Sequence, residues 1–126
     1  MIVNVSSMAG KVPLKGCAYY GGAKAGLAMA SEIARADLAP HRIRVVTVYP
    51  GPVRSPLEQG ARAEYAAGLF ARVMPTGDAV ELAGLVLRAI ADDQPRVVYP
   101  RAYALGWTAP NFARWFALSY GPPPLR

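Results

Sequence analysis

Two short apolar runs separated by a long stretch of small residues constrain this chain most. Ile2-Val3-Asn4-Val5, running into Ser6, and Ile43 through Tyr49 are rich in β-branched residues, as expected of strands covered on both faces. Between them, Ala18 to Leu38 reads as one helix built from Ala23, Ala25, Gly26, Ala28, Ala30, Ala34 and Ala36, with Leu27, Ala30, Ala34 and Leu38 as its apolar stripe. Gly21, Gly22 and Gly26 weaken that helix, which implies close approach of a bulky partner or an opposing backbone. Pro40 stops it. Strand, helix and strand in this order make a right-handed crossover between parallel strands, with ligands expected beyond the carboxyl ends. A second helix is predicted over Asp78 to Asp92, with Asp78 as its cap and Val80, Ala83, Leu87 and Ile90 on its buried side. Arg96-Val97-Val98-Tyr99, stopped by Pro100, predicts a third strand. The fold class is α/β, with three parallel strands and flanking helices.

Tyr20 and Lys24 are four apart, so on the helix they stand one turn apart on one face. A phenol ordinarily ionises near pH 10, and a neighbouring ammonium favours its charged form, the direction a general acid/base near neutrality needs. Ser7 lies thirteen residues before Tyr20, at the end of the first strand. A strand end and a helix start thereby bring a hydroxyl, a phenol and an amine toward one carbon–oxygen bond. Each residue also has a plainer reading: Ser7 as a hydrogen bond to nearby backbone, Lys24 as a solvated lysine, Pro50 to Pro56 as a proline-rich turn closing a strand.

Taken together, Ile2 to Gly10 with Ser7, Tyr20-x-x-x-Lys24, and Ile43 to Pro56 with Pro50-Gly51 resemble the second half of a short-chain dehydrogenase/reductase. The close resemblance spans about residues 1–56, with a looser match to about residue 100. It implies a partial Rossmann-like, doubly wound fold and an NAD- or NADP-dependent oxidoreductase acting on an alcohol or carbonyl. On that resemblance Ser7, Tyr20 and Lys24 are the catalytic residues. Tyr20, Lys24, Pro50, Gly51, Val53 and Ser55 border the cofactor, Val53 through its backbone at the carboxamide. Tyr49 stands where a small or apolar residue is common.

The same resemblance leads the reading to expect a carboxy-terminal half only. No Gly-x-x-x-Gly-x-Gly or Gly-x-Gly-x-x-Gly follows a predicted strand, so the cofactor-binding half is expected to be absent. The chain alone is then expected to bind a dinucleotide poorly, to be inactive as a fragment, and to self-associate through the edge of its first strand or the small-residue face of its helix. The alternative is a non-catalytic remnant acting as an interaction or assembly piece.

Composition narrows the remaining classes. With 53% apolar and 17% charged residues the chain is a folding sequence. Cys17 is its single cysteine, which excludes an intrachain disulfide and makes a cytoplasmic location the default. His41 has no partners at ligand spacing, so no metal site is expected. The net charge of +6 comes from arginines scattered along the chain, unlike the gathered face of a nucleic-acid reader, and no such partner is expected.

Residues 1–100 are assigned to one domain, with 57–77 resembling the lid that covers substrate in the family. An aromatic-rich extension follows at 101–126. It holds Trp107, Phe112, Trp115, Phe116 and Tyr120, with Arg114 the only charge between Arg101 and Arg126. Packing over the core or at a subunit interface is the preferred reading, and peripheral membrane contact through 101–120 is the other.

Overall fold

A computed structural model describes residues 1–63 and 74–121. Strand β1 (Ile2–Val5) leads through a 3-10 turn, Met8–Gly10, to helix α1 (Ala18–Leu38). Strand β2 (Val45–Pro50) and helix α2 (Pro56–Ala63) follow, then helix α3 (Ala79–Ala91) and strand β3 (Arg96–Tyr99). A turn at Arg101–Ala104 and helices α4 (Leu105–Thr108) and α5 (Pro110–Tyr120) close the described chain. Of the lid-like segment, residues 64–73, including Leu69, Phe70 and Val73, lie outside the described residues.

The sheet order is β1-β2-β3 and both pairings are parallel, Val5 opposite Val48 and Pro50 opposite Tyr99. The expected partial Rossmann-like architecture is therefore present. Strand β2 is central, and Val45 to Tyr49 are all buried. Its period of two sends alternate residues to opposite layers. Val46 and Val48 pack with Val97 and with Leu82, Leu85, Val86 and Ala89 of α3. Tyr49 points the other way, into a cluster with Met8, Ala28 and Trp107. Each valine buried in this way contributes roughly 1.5–3 kcal/mol.

Two helix faces differ from the sequence reading. On α3 the side turned inward carries Leu82, Leu85, Val86 and Ala89, whereas Val80 and Leu87 are 81% and 66% exposed. The helix has two apolar stripes, and its first turn chooses between them. The Asp78 amide donates to Tyr99 Oη at 2.8 Å, and that hydroxyl donates to Glu81, which fixes the rotation of α3 against β3. On α1 the fully buried positions are Ala28 and Ser31 rather than the Leu27/Ala30/Ala34 line.

Nor do all the glycines of α1 meet a partner. A Cβ on Gly22 or Gly26 would meet nothing within 4 Å, and one on Gly21 would sit 3.1 Å from Ala9 O. The tight approach is made from the other side, by Gly10, whose Cβ would lie 2.8 Å from the backbone of Lys24 and Ala25.

Candidate functional site at the carboxyl edge of the sheet

The first strand ends against the middle of α1, and Lys24 is the hub of that contact. Its ammonium donates to Val5 O at 2.9 Å, while its own carbonyl accepts from Ser6 Oγ at 2.8 Å. Ser6 is buried and its amide continues the sheet by donating to Val48 O. One turn earlier on the helix, Tyr20 is half exposed, with the Lys24 ammonium 5.8 Å from its ring centroid. An ammonium has three donors, so the bond to Val5 leaves two for a ligand.

Ser7 caps the turn at Met8–Gly10, its Oγ accepting from the Ala9 amide at 3.1 Å. Its hydroxyl hydrogen has no partner in that bond and can reach a further acceptor. The plainer reading of Ser7, a hydrogen bond to nearby backbone, is thus met. Further along β1, Asn4 Nδ2 donates to Ser31 Oγ at 2.9 Å, and Ser31 donates to Leu27 O. Asn4 is a structural pin between β1 and α1.

The other side of the candidate site is the loop after β2. Gly51 N donates to Tyr99 O at 2.6 Å, carrying the pairing one residue beyond the strand. Val53 forms a parallel bridge with Gly77, whose amide donates to Pro52 O at 2.8 Å and whose carbonyl accepts from Arg54 N at 3.0 Å. Because these bonds come from its neighbours, the amide and carbonyl of Val53 face the opposite side of the bridge. Ser55 Oγ accepts from Glu58 N at 3.1 Å, an N-terminal cap on α2. Gly51 is backed by Tyr103, because a Cβ on Gly51 would lie 2.6 Å from its ring. Burial pushes the Tyr103 phenol up to about 12, so it is neutral and its hydroxyl donates to Pro75 O.

The structure therefore brings the Ser7 turn, Lys24 and Tyr20 together at the end of β1, and Pro50 to Ser55 to the end of the neighbouring β2. Ser6, Gly10 and Tyr103 were missed by the sequence reading. Gly10 was visible as a glycine soon after a strand; Ser6 and Tyr103 act through contacts distant in sequence, which no local spacing reveals. Among the described residues, no group of three His, Cys, Asp or Glu could hold a metal ion.

Residues 1–66 match the family model described as short chain dehydrogenase. Trans-4-hydroxycyclohexanecarboxylate dehydrogenase of Sinomonas cyclohexanicum is 41% identical over 61 residues, 48% of this chain and 24% of that protein. Among solved structures, a short-chain dehydrogenase from Burkholderia cenocepacia J2315 in complex with NADP aligns with a TM-score of 0.72 at 28% identity. That alignment covers 94% of this chain and 47% of the other. One from Sphingobium yanoikuyae in complex with NADPH gives 0.65 at 27% identity, covering 94% and 44%. The chain spans less than half the length of these proteins.

These matches correct the expectation of a carboxy-terminal piece lacking the cofactor-binding region. The family match runs from residue 1 to 66, and those residues fold as a strand–loop–helix–strand unit of the cofactor-binding Rossmann type. The region that bears the dinucleotide-binding loop is present as β1, its loop and α1. No glycine fingerprint marks that region in the sequence. The unit itself is set by parallel pairing and by close packing of the turn after β1, through Gly10, against α1.

Proposed function

Because the chain belongs to the short-chain dehydrogenase family, we propose that it serves an NAD(P)-dependent oxidoreductase interconverting an alcohol and a carbonyl. The observation that carries the reading is the position of Lys24. It ties α1 to the end of β1 with one donor and stands one turn from a half-exposed Tyr20, beside the Ser7 turn. A phenol, an ammonium, a hydroxyl and an outward main-chain amide at Val53 are a donor set that fits the nicotinamide end of a dinucleotide. Tyr20, Lys24, Pro50, Gly51, Val53 and Ser55 would hold it. The bound nicotinamide supplies or accepts the hydride.

In the direction of reduction, Tyr20 Oη gives its proton to the carbonyl oxygen as that oxygen gains charge, and regains one from solvent. In oxidation it takes the alcohol proton. Ser7 Oγ donates to the same oxygen and fixes its place, while Lys24 holds positive charge beside the phenol and offers its remaining donors to the cofactor's hydroxyls. A positioned acid/base of this kind is worth about 10²–10⁴ in rate. The substrate is a small molecule, and the Sinomonas relative's name points to a secondary alcohol on a saturated ring. The neighbours' ligands make NADP the first cofactor to try.

Residues 1–100 form the catalytic unit in this reading, with 57–77 as lid and 101–126 as an extension. Among the described residues no helix is long and apolar enough to cross a membrane. A cytoplasmic site of action is the reading that the single cysteine, Cys17, favours.

The test is calorimetry with NADPH and NADH, together with turnover of cyclic alcohols and ketones. Tyr20→Phe should lower kcat at least about 100-fold with cofactor affinity and the far-UV spectrum unchanged. Lys24→Ala should lower both rate and affinity. A Tyr20→Phe protein retaining most of its turnover removes Tyr20 from the mechanism, and a folded wild-type protein that binds neither dinucleotide overturns the reading.

A further inference from the structure

Helix α5 is mounted the wrong way round for a core helix. Its only fully buried residue is Ala117, and its other inward residue, Ala113, approaches the position of a Cβ on Gly106. Phe112, Trp115, Phe116 and Tyr120, at helical spacing, lie on the other side and are 63%, 54%, 39% and 60% exposed. They lean on one another, Phe112 against Phe116 at 6.1 Å and Trp115 against Tyr120 at 5.7 Å between centroids, so the patch is continuous. Leu118 and Leu105 extend the apolar surface at 51% and 72% exposure. An apolar face of this kind on a surface helix marks an interaction site.

Charge selects its occupant. From Gln94 to the end the sequence contains no Asp or Glu, while Arg96, Arg101, Arg114 and Arg126 give it four positive charges within a chain of net +6. Arg101 and Arg114 are both exposed. An exposed aromatic face on one side of the helix, exposed arginines elsewhere in the same segment and no acid within it are the composition of a helix lying in the interface of an anionic bilayer. Trp and Tyr favour the headgroup level, where their polar edges stay wet.

We propose that α5 docks the protein peripherally on anionic lipid surfaces, through Phe112, Trp115, Phe116 and Tyr120, with Arg101 and Arg114 supplying the charge preference. The segment that carries the helix adjoins the candidate site. A Cβ on Gly106, in the adjoining helix α4, would lie 3.2 Å from Val12 and 3.5 Å from Met8, in the loop that follows Ser7. Tyr103, in the same segment, backs Gly51. A docked protein would therefore hold the loop that follows Ser7 close to the bilayer.

Flotation of the full chain with vesicles of phosphatidylcholine alone and with 30% phosphatidylglycerol tests it. Binding is expected to the anionic vesicles and to fall steeply in 0.5 M salt, since each arginine near such a surface is worth about fivefold in partitioning. Arg101→Gln with Arg114→Gln should erase the preference, about 25-fold. Trp115→Ser with Phe116→Ser should cut binding at least about tenfold while NADPH binding and the far-UV spectrum stay as in the wild type. Failure to float with anionic vesicles overturns the proposal. So does equal binding to neutral ones, or a drop in light-scattering mass on the Trp115/Phe116 change without any vesicle effect, which assigns the face to a second copy.

Discussion

One carboxylate oxygen of Glu32 ties helix α1 to Tyr49 of strand β2 and to Lys11 in the loop after β1. Tyr49 Oη donates to Glu32 Oε1 at 2.7 Å, and Lys11 Nζ donates to the same atom at 3.3 Å while standing 4.5 Å over the Trp107 ring. Burial pushes the Glu32 carboxyl up. The bonds from Tyr49 and Lys11 and the charges of Lys11 and Arg96 outweigh it and hold the group below its ordinary value of 4.5. Burial first, then the Glu32 bond and charge, push the Tyr49 phenol well above 10. A depressed carboxylate stabilises the fold above its unfolded value and loses that contribution as pH falls through the folded one. A raised phenol stabilises it below its unfolded value and loses that contribution as pH rises through the folded one. Tyr49→Phe should therefore cost about 1–2 kcal/mol in urea unfolding at pH 7. Its deficit against the wild type should shrink below pH 4.5 and again above pH 10. A deficit constant across that range would mean that the hydroxyl contributes nothing through Glu32. The sequence showed Tyr49 only as a departure from the family's habit. Its reason is a partner seventeen residues away on α1 and a ring 58 residues downstream, which contacts in space alone disclose.

At the scale of elements, periodicity located what local chemistry encodes and misassigned what packing decides. Strands β1, β2 and β3 and helices α1 and α3 all stand where apolar runs and capping residues put them, to within two residues at each end. The orientation of α3 was illegible, because Val80/Ala83/Leu87/Ile90 and Leu82/Leu85/Val86/Ala89 are both apolar stripes at helical spacing. A tyrosine on a strand still to come, Tyr99, chooses between them. The same limit applies to α5, whose aromatics a sequence reader turns inward, although two alanines make the actual contact. The structure predicts a sharp contrast on α3. Leu85→Ala should lower stability by about 2 kcal/mol, because the side chain is packed on Val46, Val48 and Val97. Leu87→Ala, two residues on, should fall within about 0.5 kcal/mol of wild type. Chemical denaturation of the two variants side by side checks this, and equal losses would mean the helix is rotated from its assigned face.

For the molecule as a whole, the question is which surfaces remain open once three strands and their helices have packed. Edge strand β1 shows Ile2 and Val5 at 39% and 53% exposure, yet Val5 O is already taken by Lys24 and the strand is only four residues long. The larger open surface is the outer side of α1. Met29 and Ile33 are 57% and 52% exposed there, and around Gly22 and Gly26 there is room for another backbone to approach. An apolar stripe with gaps in it buries best against a second helix, and two copies of α1 can supply that to each other isologously. The chain should therefore self-associate through α1 rather than by extending its sheet. Light scattering at 50 μM should give a mass at least double the 13.4 kDa of one chain. Met29→Glu with Ile33→Glu should return it toward the single-chain mass, since two carboxylates would face their own copies across the contact. Val3→Pro, which removes a donor from β1, should leave the mass unchanged wherever the protein still folds. If the carboxylate pair leaves the larger mass intact while Val3→Pro abolishes it, association runs through the strand edge and α1 is only a surface.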